Sequence, residues 1–196
     1  MKNRAYQNLP EGYSPIFEVD LKANKKQAIL VNALAIIIAA VMVIPAEILH
    51  PISVMFDLSD GLAASLRFFA LGISAILYIV LHELTHGVTM KLFGTKKVKY
   101  GFTGLYAFAG STDYYPKLPY IAIALAPVVL FGIIFAIVLP FVPEKWFWVV
   151  YMLQVINISG AAGDFYVTVR FFGMPKDILV YDNGASMTVY SEKGAK

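Results

Sequence analysis

Residues 62–87 read LAASLRFFALGISAILYIVLHELTHG, a long apolar run that closes on a cluster of polar residues. The run continues to about Phe93, and as one helix it would be roughly 48 Å long at about 1.5 Å per residue. The hydrocarbon core of a bilayer is only about 30 Å thick, so such a helix must tilt or protrude. Arg67 is expected to snorkel to the outer interface. If hydrocarbon begins near Phe68, a span of about twenty residues ends at the HELTH segment, residues 82–86.

The rest of the chain agrees with a membrane class. Of its 196 residues, 59% are hydrophobic and 15% charged, with a mean hydropathy of +0.67. Soluble domains are about half apolar and about a quarter charged. Three further apolar runs are long enough to span: Ala28 to Leu49, Tyr120 to Val142 with Pro127 inside, and Trp146 to about Phe172. Trp146 and Trp148 suit an interfacial belt. The fold class expected is therefore an α-helical integral membrane protein with four transmembrane helices. Ser59 or Asp60 is a candidate N-cap for the second helix.

Polar segments flank these runs. Residues 1–26 form an N-terminal segment in which Tyr13 to Val19 is a candidate strand or interfacial segment, residues 27–172 the membrane domain, and residues 173–196 a tail. In the 94–117 loop, Val98, Tyr100, Phe102, Leu105, Tyr106 and Phe108 alternate with small residues, which predicts one or two short strands. In the tail, Ile178 to Tyr181 and Met187 to Tyr190 flank Asp182-Asn183-Gly184, which predicts a hairpin with a type I′ turn.

Lys/Arg bias sets orientation. The N-terminus, the 94–117 loop and the tail (Arg170, Lys176, Lys193, Lys196) are basic, the 50–61 loop has no basic residue, and the 140–145 turn has only Lys145. Both termini and the β segments are expected in the cytoplasm, in a plasma membrane. The formal charge of +3 follows from this topology, and no basic groove with interleaved aromatics points to nucleic acid. Oligomeric state leaves no mark on the sequence.

With no cysteine, disulfides, thiolate metal sites and cysteine nucleophiles are excluded. A metal must use His, Asp or Glu. The three histidines are His50, His82 and His86. His82 and His86 are four apart, so on a helix they share a face and can converge on one ion, while Glu83 is placed as general base toward an activated water. Such groups are costly at membrane depth and rarely sit there without function.

A catalytic zinc site keeps three protein ligands and an open position. Asp164 is the best third candidate. It lies six residues before Arg170, as His86 lies five before Lys91, and both helices end on the same side. Gln154, Asn157, Ala161 and Asp164 fall on one helical face, with Gly160 and Gly163 permitting close approach. Glu47 and His50 lie a bilayer away. Asp113 could reach the site only if its loop folds back, and Asp182 is explained by its turn. Thr85 and Thr89 are expected to pack or to bond back to the backbone rather than ligate metal, and Gly87 to admit another helix.

HELTHG at 82–87 inside a membrane helix, followed by a late Asp164, resembles the site-2 class of intramembrane zinc proteases. It is more similar still to a family of small prokaryotic membrane proteins classed as zincins, through the apolar-HELxHG run, Pro127 in the next helix and the Asn157 to Gly163-Asp164 segment. The resemblance spans roughly residues 65–172. It implies Zn2+ held by His82, His86 and Asp164, Glu83 as the base, Asn157 as a weaker candidate for orienting substrate or a ligand, and a membrane protein or peptide as substrate. Site-2 proteases carry Asn-Pro and Asp-Gly here, whereas Asn157 precedes Ile158 and Asp164 precedes Phe165. The alternative from another class is a non-proteolytic metal-binding membrane protein, a scaffold or a divalent-metal carrier. A carrier needs polar groups across both leaflets, and the first helix is almost wholly apolar.

Overall fold

The computed structural model describes residues 4–57, 59, 61–104 and 106–192. Asp60 and Leu105 lie outside them, as do Lys2, Lys193 and Lys196. In chain order the elements are β1 (Ser14–Val19), α1 (Lys25–Leu49), α2 (Leu62–Leu92), β2 (Lys99–Phe102), β3 (Ala107–Gly110), β4 (Tyr114–Pro116), α3 (Lys117–Val138), α4 (Phe147–Gly160), α5 (Ala162–Phe172), β5 (Leu179–Asp182) and β6 (Met187–Ser191). Among the described residues, four stretches are long and apolar enough to cross a membrane: α1, α2, Lys117–Phe141 and Glu144–Phe172.

Local chemistry sets several of the boundaries. Asn24 caps α1, its Oδ1 accepting the Gln27 N–H at 3.2 Å. α2 closes in a Schellman motif: Thr95 N–H bonds Met90 O at 3.2 Å, Gly94 N–H bonds Lys91 O at 2.9 Å, and Gly94 takes φ +104°. Ser59 turns its hydroxyl onto Asp57 Oδ1 at 2.6 Å.

The fourth run is not one helix. Ser159 Oγ bonds back to Val155 O at 2.7 Å, α4 stops at Gly160, and Ala161 takes φ −80° and ψ 14° before α5 begins. Glycine costs about 1 kcal/mol against alanine inside a helix, so Gly160 and Gly163 weaken the run here. The face expected through Gln154, Asn157, Ala161 and Asp164 is therefore interrupted between α4 and α5.

The chain divides into two compact units. One comprises Met1–Val31, His82–Ala126 and Gly163–Lys196, the other Asn32–Leu81 and Pro127–Ala162. In the first, strands from three distant segments form one antiparallel sheet in the order β1-β6-β5-β4, and β2 pairs with β3 in a separate hairpin. The inner face of the larger sheet packs Val180, Met187 and Val189 into a core with Met90, Tyr120, Ile123, Val167 and Phe171. Thus the strands expected at Tyr13 to Val19, in the 94–117 loop and in the tail all form, and β4 joins the tail hairpin. That hairpin turns through four residues, with Asp182 paired to Met187. Gly184 has φ +88° while Asn183 stays negative, so the turn is not type I′, which needs positive φ at both central positions.

The second unit is helical. Its core joins Ala46, Met55, Trp148 and Val149. Trp148 is buried and donates to His50 O at 2.7 Å. Arg67 is 2% exposed and donates from Nε to Met55 O in the 50–61 loop at 2.8 Å. Here composition indicated depth along the membrane, and lateral packing decided the contact. By contrast α1 leaves Ile36, Ile37, Val41, Ile44 and Ile48 exposed.

Candidate metal centre

The helical repeat of α2 puts His82 and His86 one turn apart, with Nε2 atoms 3.1 Å from each other. The break at Ala161 puts Asp164 in the first turn of α5, where the positive end of the helix favours a carboxylate. Its Oδ2 lies 3.8 Å from His82 Nε2 and 3.8 Å from His86 Nε2. Among the described residues this trio is the group of His, Asp and Glu able to hold a metal ion.

The donor set fits zinc. Ligands at about 2.0–2.1 Å around a tetrahedral ion stand about 3.3–3.5 Å apart. Separations of 3.1, 3.8 and 3.8 Å bracket that edge. Two imidazoles and one carboxylate also leave the fourth position open, as catalytic zinc sites do.

The surroundings orient these groups. His86 is buried, and its Nδ1 is 2.9 Å from Ile123 O. A carbonyl only accepts, so Nδ1 is the donor, and in the neutral ring Nε2 then carries the lone pair that a metal would use. The 94–117 loop does fold back, but it brings backbone rather than Asp113. The Ala109 amide of β3 hydrogen-bonds the Glu83 carboxylate. On β2, Tyr100 is the register partner of Ala109, and its hydroxyl lies against Gly87, where a Cβ would overlap it. Gly87 thus admits a strand residue, not another helix. Thr89 bonds back to Thr85 O at 2.8 Å.

Asp182 does more than hold its turn. Oδ1 accepts the Gly184 N–H at 2.8 Å, while Oδ2 accepts the Tyr120 hydroxyl at 2.5 Å. Burial pushes this carboxyl up from its ordinary value, against the hydrogen bonds from Tyr120 and Gly184. Other acids and histidines weighed from sequence are accounted for elsewhere. His50 Nδ1 is 2.9 Å from Glu144 Oε1, and Glu47 accepts the Ile52 N–H at 2.9 Å. Asn157 is fully buried in the helical unit, accepting from Tyr78 Oη at 2.8 Å and donating to Val128 O at 3.1 Å. The Ala109 amide and the Ile123 carbonyl were not foreseen, because backbone groups carry no residue signature.

A family model described as "Putative zincin peptidase" matches residues 75–179, more than half of the chain. This chain belongs to that family. The matched segment contains His82, Glu83, His86 and Asp164. The chain is also similar to an "Uncharacterized 24.7 kDa protein in gap 5'region" of Pyrococcus woesei, with 34% identity over 124 residues, covering 60% of this chain and 53% of that protein. The chain thus spans about half the length of this curated relative. No solved structure matches the chain.

Proposed function

We propose that this zincin is an intramembrane zinc metallopeptidase of the site-2 type, cutting peptide bonds of membrane proteins or membrane-associated peptides. The observation that carries the reading is the convergence of His82, His86 and Asp164 at ligand spacing, with Glu83 on the same helix. His82, His86 and Asp164 would hold the ion, and bound zinc would supply Lewis acidity to water and to the substrate carbonyl.

This chain's own groups do the rest. Glu83 takes the proton of the attacking water as the new C–O bond forms, and returns it to the departing nitrogen as the C–N bond breaks. The Ala109 amide holds the Glu83 carboxylate in place. A helical peptide bond is shielded by its own hydrogen bonds, so a substrate must be unwound first. The β2–β3 hairpin offers a strand edge to which an extended segment could pair.

The exposed apolar side chains of α1 support insertion in lipid. The Lys/Arg distribution supports cytoplasmic termini, with the metal centre toward that face. The archaeal relative is consistent with a prokaryotic plasma membrane. The test is to assay the purified, zinc-loaded protein on a panel of membrane peptides beside Glu83→Gln. Turnover that requires Glu83 supports the mechanism; wild-type turnover surviving in Glu83→Gln would sink it.

A further inference from the structure

Pro127 lies inside α3, four residues after Ile123. In an α-helix the carbonyl of residue i accepts the N–H of residue i+4. Proline has no N–H, so the Ile123 carbonyl lacks its i+4 donor. That carbonyl is the one that accepts His86 Nδ1–H at 2.9 Å. Both residues are buried, Ile123 at 2% and His86 at 9% exposure, so a lost partner would be costly to either.

We infer that Pro127 is a positioning residue of the metal centre: deleting one helix N–H reserves the Ile123 carbonyl for His86 and thereby fixes which imidazole nitrogen faces Asp164. The inference rests on the proposed His82–His86–Asp164 centre and assigns it a third helix. The chain of cause is short. Without the N–H at 127, the carbonyl is open to the imidazole. With Nδ1 protonated and bonded there, Nε2 carries the lone pair and sits 3.1 Å from His82 Nε2 and 3.8 Å from Asp164 Oδ2. Groups that orient metal-ligating histidines in this way typically govern about 10–100-fold in metal affinity.

α1 supplies an internal control. It also has a proline inside the helix, Pro45, and Tyr151 donates to the nearby Met42 O at 2.8 Å. Pro45→Ala changes a helix in the same way, at a place with no ligand histidine.

The experiment measures zinc affinity in detergent by chelator competition, together with the 15N shifts of His86 in zinc-free protein. Pro127→Ala returns an N–H that competes for Ile123 O. It is expected to weaken zinc binding about 10–100-fold and to mix the His86 tautomers, while Pro45→Ala changes neither. A lactate ester at position 127, which lacks both the ring and the N–H, is expected to restore wild-type affinity and the Nδ1–H tautomer. Unchanged 15N shifts in Pro127→Ala, or an ester variant as weak as the alanine variant, overturn the proline's role. Failure of the unsubstituted protein to bind zinc overturns the metal-centre reading instead, and the 15N shifts tell the two failures apart.

Discussion

The polar cluster around Asn157 in the helical unit and the one around His82 in the sheet-bearing unit differ in kind. In the helical unit, Asn157 is closed into a network with Tyr78, Val128 and Gln154, and Arg67 is bonded to Met55 O. Asn157 thus has partners for both its amide oxygen and its amide nitrogen, which is what burial requires. In the sheet-bearing unit, His82, His86 and Asp164 each bring one ligand atom within 4.8 Å of the others, a group that could hold a metal ion. One unit uses polarity to hold helices in register. The other keeps it available for chemistry.

Substitutions can break this contrast, and the largest effect is expected at Glu83. Glu83→Gln should lower kcat by about 10²–10⁴-fold, the usual worth of a general base, while zinc content stays at the wild-type level. Asp164→Ala should weaken zinc binding by more than about 100-fold, beyond the range of groups that merely orient a ligand. Chelator competition reads this directly, and an unchanged Kd would remove Asp164 from the centre.

Asn157→Leu should act on the other unit only. It removes the acceptor of Tyr78 and the donor to Val128, at a cost of about 1–2 kcal/mol in unfolding free energy, with zinc affinity unchanged. A fall in zinc affinity would assign Asn157 to the metal centre after all. Gly87→Ala and Tyr100→Ala should be non-additive, because the alanine methyl collides with the Tyr100 hydroxyl only while the tyrosine is present. Their coupling, from a double-mutant cycle in unfolding free energy, is expected at about 0.5–1 kcal/mol.

Asp182 gives the smallest effect. Burial raises its folded carboxyl above the unfolded one, so the folded state holds that proton more tightly. Stability should therefore fall as pH rises from the unfolded value through the folded one. Asp182→Asn should flatten that slope in melts followed against pH. A slope unchanged by the substitution would assign the pH dependence to another group.

Much of this was legible in the sequence because it depends on local patterns. Run lengths predict four spans, and four stretches of sufficient length and apolarity are present. HELTH identifies its own residues, and an acid inside an apolar run stands out, so Asp164 could be matched to the histidines by depth alone. Long-range pairing was not legible. Nothing local to Tyr114 announces Tyr181 as its partner, so β4 was not assigned to the tail sheet. Composition reports the depth of Arg67 and Trp148, not that Met55 O and His50 O are their partners. Gly160 and Gly163 were read as packing residues, whereas they flank the break that starts α5 near Asp164. Pro127 was visible, but its effect on His86 needs the three-dimensional approach of α2 to Ile123.

The central claim is that one metal ion binds where α2 and α5 bring His82, His86 and Asp164 together. A zinc-edge anomalous map of the purified protein tests it most directly. The account predicts one peak per chain, at about 2.0–2.1 Å from Nε2 of His82, Nε2 of His86 and the Asp164 carboxylate. A peak at any other site, or none in zinc-soaked crystals with an ordered centre, would contradict it.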